Sequence, residues 1–165
     1  MKVAIIGAGN MGGSIACGLA KGKLIPASDI IVSNPSIGKL EALKKEFPSI
    51  AITRNNAEAA TGADIVILAV KPWLIRGVLR EMKLRSKQIL VSVAAGISCE
   101  QLAHDVVEPE MPMFRIVPNT AISELQSMTL IASRNAGQEL EALMVNLFSE
   151  MGMAMILPED KLEAA

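Results

Sequence analysis

Val3-Ala4-Ile5-Ile6-Gly7-Ala8-Gly9-Asn10-Met11-Gly12 is the stretch that decides how this chain is read. Its first four residues are an unbroken apolar run, and its last six space their glycines as G-x-G-x-x-G. Just beyond, Met11, Ile15 and Leu19 fall on one face of a helix. Strand, tight glycine turn and helix form the context in which this spacing marks a dinucleotide site. Gly7 permits the sharp exit from the strand. Gly9 lacks a Cβ, so a pyrophosphate can approach the backbone, and Gly12 lets the helix pack closely on the sheet. The first turn of the helix then offers free N–H groups and the positive end of its dipole to the phosphates. A ligand-free βα turn has the same composition; the flanking strand and helix favour the dinucleotide site.

The rest of the chain keeps the alternation. Strands are expected at residues 2–6, 29–33, 51–53, 64–70, 88–93, 113–117, 129–132 and 154–157. Between them the spacing predicts helices at 10–21, 37–47, 72–84 and 99–107, with a brief helical turn near 57–61. Leu140, Leu143, Met144 and Leu147 line one face of a further helix, with Gly152 as its stop. Ile65 to Val70 is apolar on both faces, as a central parallel strand should be. Ser98 and Gln101 have the spacing of a capping box. Repeated βαβ units imply an α/β fold: a doubly wound, mainly parallel Rossmann-type sheet with helices on both faces. The expected sheet has six to eight strands, the first at its centre, in an order beginning 3-2-1-4-5.

A length of 165 residues suffices for one domain with a real core. Hydrophobic residues make up 51%, charged residues 20%, and the net charge is −1, so no electrostatic pull towards nucleic acid or an anionic membrane is expected. No apolar run approaches the roughly 18 residues of a membrane span, and no signal-peptide pattern opens the chain. Cys17 and Cys99 are the only cysteines, which argues against a disulfide scaffold or a metal site and fits a reducing, cytoplasmic setting. With no Tyr, one Trp, three Phe and ten Met, the core must be aliphatic and rich in thioethers.

Ligands of open α/β sheets sit beyond the carboxyl ends of the strands. The second strand ends in Ser33-Asn34-Pro35-Ser36, where an NAD enzyme usually carries an acid for the ribose hydroxyls. Asn34 and Ser36 can instead hydrogen-bond a 2′-phosphate and Lys39 can add charge, which favours NADP with NAD as the alternative; a plain turn capping the next helix reads equally well. The fourth strand ends in Ala69-Val70-Lys71-Pro72, with a lysine at the mouth of a buried strand. The fifth ends in Ala94-Ala95-Gly96, whose small side chains leave room for a nicotinamide or for close packing. The sixth ends in Val117-Pro118-Asn119-Thr120. His104 lies within a helix away from any strand end, beside Asp105 and near Glu100 and Glu108, and reads as a surface residue; Cys17 and Cys99, with no visible base or second ligand beside them, read the same way. Any chemistry must come from a bound cofactor.

The blocks IIGAGNMGGSIACGL, ADIVILAVKP, LVSVAAGIS and RIVPNTA, in that order, resemble pyrroline-5-carboxylate reductases along the whole chain. The resemblance implies reduction of the ring C=N of 1-pyrroline-5-carboxylate to proline, the last step of proline biosynthesis, with hydride from NADPH or NADH. It places Ile6, Gly7, Ala8, Gly9, Asn10 and Met11, with Ser36, Asn56 and Ala69, Val70, Lys71 and Pro72, along the cofactor. Many relatives carry Arg where Pro35 stands. Residues 1–158 would be the NAD(P)-binding domain and residues 159–165 the start of a helical domain that makes the dimer and cages the substrate. Near the nicotinamide, Lys71, Asn119 and Thr120 are the candidates for substrate chemistry. Two other readings share the glycine turn: a 3-hydroxy acid dehydrogenase or deazaflavin-linked NADP reductase, and a non-catalytic nucleotide-sensing module.

Overall fold

Alternating side-chain direction within the first strand sets the layers of the molecule. In the computed structural model, which describes residues 1–118 and 120–162, β1 (Val3–Ile6) is wholly buried. Val3 and Ile5 face one apolar cluster and Ala4 and Ile6 the other, as the two-residue period of a strand requires. The first cluster takes α1 (Asn10–Lys21), α2 (Ile37–Glu46) and α6 (Gln138–Ser149) through residues such as Ile15, Leu40 and Phe148. The second takes α3 (Asn56–Ala60), α4 (Ile75–Met82) and α5 (Cys99–Asp105) through Ala59, Leu79 and Leu102. Each fully buried aliphatic side chain contributes about 1.5–3 kcal/mol of burial.

The remaining strands are β2 (Ile30–Ser33), β3 (Ala51–Thr53), β4 (Ile65–Leu68), β5 (Ile89–Ser92), β6 (Met113–Val117), β7 (Ser127–Arg134) and β8 (Gly152–Ile156). They form one eight-stranded sheet in the order β3-β2-β1-β4-β5-β6-β7-β8. Every pairing is parallel except β6 with β7. The expected α/β fold and strand order are those observed. A last short helix, α7 (Glu159–Leu162), lies against β7. Glu159 fixes it: its Oε2 accepts from the Cys99 N–H at 2.9 Å and from Arg115 at 3.1 Å.

Several boundaries differ from those the sequence predicts. β7 is longer than 129–132 because its polar ends, Ser127 and Arg134, are paired with β8 and β6. Gly152 opens β8 instead of stopping α6, whose last turn closes at Glu150. After β4, Pro72–Leu74 is a single 3₁₀ turn and the α-helix begins only at Ile75. A further 3₁₀ turn, Thr120–Glu124, stands where the sequence predicts no regular element. The capping box on α5 is present: Ser98 Oγ accepts from the Gln101 N–H at 3.1 Å, and Gln101 Oε1 accepts from the Ser98 N–H at 2.7 Å.

Candidate cofactor cleft

Where β1 runs out, Gly7 turns the chain at φ +107°, a conformation that L side chains rarely adopt. Its N–H donates to Ser33 O at 2.8 Å, so the turn is tied to the end of β2. A Cβ on Gly12 would collide with Gly7 O and lie 3.1 Å from the Ala69 side chain. Glycine at both positions is therefore required by the protein's own packing. Gly9 is different. Its φ is an ordinary −70°, and a Cβ there would meet nothing within 4 Å. Gly9 lines a cleft of about 710 Å³.

Each strand end that faces this cleft contributes a loop. From β1 come Gly7, Gly9, Asn10 and Met11; from β2, Asn34 and Pro35, with Lys39 one helical turn on. Asn56 enters from α3, Ala69, Val70, Lys71 and Pro72 from the loop after β4, Leu74 from the 3₁₀ turn, Val78 from α4, and Val93, Ala94 and Ala95 from the loop after β5. The lining holds two lysines and no carboxylate, in a chain whose net charge is −1. That is a local field suited to an anion. No side chain caps Gly9 at the start of α1, whose first helical bond is Gly13 N–H to Gly9 O at 2.8 Å. The N–H groups of Asn10, Met11 and Gly12 precede that bond and have no acceptor within the helix, and Asn10 and Met11 line the cleft.

Asn34 does more to hold the cleft than to line it. Its Oδ1 accepts from the Ala8 N–H at 3.0 Å, and its Nδ2 donates to Ser36 O and Oγ, both at 3.1 Å. The amide thus clasps the β2 loop to the glycine turn. Beneath it, the buried Ser33 hydroxyl donates to Asn56 Oδ1 at 2.6 Å and orients that side chain. A dinucleotide fits this architecture by three tests: the vacancy at Gly9, the uncapped helix start and the acid-free lining.

Of the remaining residues expected at the site, Ile6 and Ala8 are buried beneath the cleft, Gly12 packs under Gly7, and Ser36 and Gly96 are exposed beside it. Gly96 turns at φ +74°. Of Thr120 the backbone alone is described, at the head of the 3₁₀ turn, and Asn119 lies outside the described residues. Val93, Leu74, Val78 and Pro35 join the lining without having been expected there. His104 is exposed. Burial pushes the Cys99 thiol up to about 12, helped by Glu159, and burial also raises Cys17, so neither is a ready nucleophile. Among the described residues no three His, Cys, Asp or Glu gather as a metal site, and no helix is long and apolar enough to cross a membrane.

Comparison with known proteins agrees with this geometry. The sequence model of the family described as "NADP oxidoreductase coenzyme F420-dependent" matches residues 2–96, more than half of the chain. Pyrroline-5-carboxylate reductase 3 of Danio rerio is 32% identical over 99% of this chain and 57% of its own length. The Pseudomonas aeruginosa pyrroline-5-carboxylate reductase is 33% identical over 96% of this chain and 58% of its own. The chain therefore spans somewhat more than half the length of these relatives. Among solved structures, the Streptococcus pyogenes 1-pyrroline-5-carboxylate reductase superposes with a TM-score of 0.84 at 30% identity, over 98% of this chain and 60% of that one. The Plasmodium falciparum pyrroline carboxylate reductase, solved with NADP bound, shares the fold at a TM-score of 0.87 and 24% identity, over 98% of this chain and 59% of that one. By the match of its first 96 residues the chain belongs to the NADP oxidoreductase, coenzyme F420-dependent, family, and along nearly its whole length it is similar to pyrroline-5-carboxylate reductases.

Proposed function

We propose that this chain holds NADP(H) in the glycine-turn cleft, as the cofactor-binding part of an enzyme that reduces 1-pyrroline-5-carboxylate to proline. The observation that carries the reading is Gly9: no contact within the protein requires glycine there, yet the residue lines the cleft, where a side chain would take up ligand space. Bound NADPH would supply the hydride for the C=N carbon. The chain's own residues bind and orient. The N–H groups at the start of α1 and its dipole receive the pyrophosphate. Lys39 and Lys71 draw in the anion, and Asn56 and Ala69 to Pro72 line its length. Ala94, Ala95 and Gly96 leave room at the nicotinamide end.

A protonated C=N is already electrophilic, so fixing both reactants at near-attack distance, roughly 3–3.5 Å, supplies much of the rate. Lys71, Asn119 and Thr120 are the proposed substrate-side candidates in this chain. The principal cage for the small anionic ring is assigned outside residues 1–158, and the whole enzyme is proposed to be a homo-oligomer. Two unpaired cysteines accord with a reducing, cytoplasmic setting. The test is titration with NADPH and NADH, followed by steady-state reduction of pyrroline-5-carboxylate. Saturable binding with turnover supports the proposal; absence of dinucleotide binding refutes it. The family's own description favours a second reading, hydride exchange between NADP and a deazaflavin. Oxidation of reduced coenzyme F420 by NADP, without reduction of pyrroline-5-carboxylate, would select it.

A further inference from the structure

We propose that Arg54, at the carboxyl end of β3, recognises the adenosine 2′-phosphate and so sets NADP against NAD in this protein. This rests on the cleft being a dinucleotide site, and it assigns the discrimination to a strand outside the β2 loop. That loop, Asn34-Pro35-Ser36, carries neither the acid that would accept from ribose hydroxyls nor an arginine. Its amide is also spoken for. Asn34 Oδ1 is taken by the Ala8 N–H and Asn34 Nδ2 by Ser36, so Asn34 has no second amide function to turn towards a phosphate.

The parallel register of β2 and β3 delivers the missing cation. Ser33 pairs with Thr53, and the Asn34 N–H donates to Thr53 O at 3.2 Å, so residue 54 emerges beside the β2 loop. Arg54 Nε donates to Pro35 O at 2.8 Å, and Pro35 lines the cleft. One bond thus anchors the planar guanidinium against the loop by its inner edge. Its two terminal nitrogens have no hydrogen bond or ion pair among the described residues. A guanidinium presents donors in a fixed fork that matches a phosphate, and anchoring one edge removes part of the entropy cost of ordering it.

The surroundings complete a cationic corner. Lys39 lines the cleft from α2, and Ser36 Oγ, which accepts from Asn34, keeps its own hydrogen to donate. No carboxylate lines the cleft to repel a phosphate. A purely structural Arg54, tying Pro35 to β3, would hold the loop equally for both dinucleotides. The recognition role separates them.

The experiment is calorimetric titration of the protein, Arg54→Met and Arg54→Lys with NADPH, NADH, 2′,5′-ADP and 5′-AMP, with thermal unfolding of each. Arg54→Met is expected to weaken NADPH and 2′,5′-ADP by about 10- to 100-fold, the range of a charged hydrogen bond, and to leave NADH and 5′-AMP unchanged. Arg54→Lys, which keeps the charge but loses the fork and the Nε anchor, should recover part of that loss. Arg54 is exposed, so all three proteins should unfold at the same temperature. Equal weakening of NADPH and NADH would overturn the proposal in favour of a loop tether, and so would no change in either; in both cases the cofactor site stands. If the parent protein binds neither dinucleotide, the cofactor reading itself fails and this assignment with it.

Discussion

Three glycines within six residues are used for three separable purposes, and substitution tells them apart. Gly12 has no room: a Cβ meets Gly7 O, so Gly12→Ala must shift α1 off the sheet. Overpacking of that kind costs about 3 kcal/mol and should lower Tm by roughly 5–10 °C, read by calorimetry. Gly9 has no neighbour within 4 Å of a Cβ and an ordinary φ, so Gly9→Val should leave the fold intact, at most a poorer start to α1, while abolishing NADPH binding. A Gly9→Val protein that titrates like the parent would remove the glycine turn from the site. The pattern G-x-G-x-x-G makes all three visible in the sequence. It also suggests the purpose of each; what it hides is how little room each has, because the distances to Gly7 O and Ala69 exist only in the fold.

At the scale of elements, the rule that ligands gather at strand carboxyl ends is enough to pick Asn34, Lys39, Lys71 and Ala94 out of the sequence. Arg54 directly follows the expected strand 51–53, yet it carries no motif of its own, and its anchor on Pro35 O depends on a β2–β3 register that exists only in the fold. Leu74 and Val78 are legible in principle: they stand four apart, one helical turn, on the face that α4 turns to the cleft. Val93 has the character of a strand residue and is the first residue beyond β5. The long β7 is hidden by its polar ends, whose pairing with two neighbours outweighs their weak strand propensity. Cap chemistry, by contrast, is local and readable. Ser98→Ala removes the side-chain bond to the Gln101 N–H and should cost about 1 kcal/mol in urea unfolding, with an unchanged m value. No loss of stability would mean that Gln101 alone closes the first turn of α5.

Across the whole molecule, the β8 end of the sheet is left open. β8 is an edge strand with no charge or proline in Gly152–Ile156. The register puts Met128 beside Met153 and Leu130 beside both Met155 and Val117, so these side chains share one face. Met128, Met153, Met155 and Val117 are exposed there. Unprotected edges of this kind pair with other chains. The protein should self-associate with rising concentration in sedimentation velocity, and Met155→Lys should suppress it; a monomer at all concentrations would show the face to be innocuous. The poles of the sheet also differ: the wide, acid-free cleft lies at the carboxyl ends of the strands, while a cavity of about 180 Å³ beside Lys2, Asp29 and Glu58 lies at their amino ends. Hydrogen exchange of the intact protein with and without saturating NADPH therefore tests the account most directly. Protection is expected together at residues 7–13, 34–39, 69–74 and 93–96, with none around Asp29 and Gly62. Protection at the amino-end cavity instead, or an exchange pattern that NADPH leaves unaltered, would contradict it.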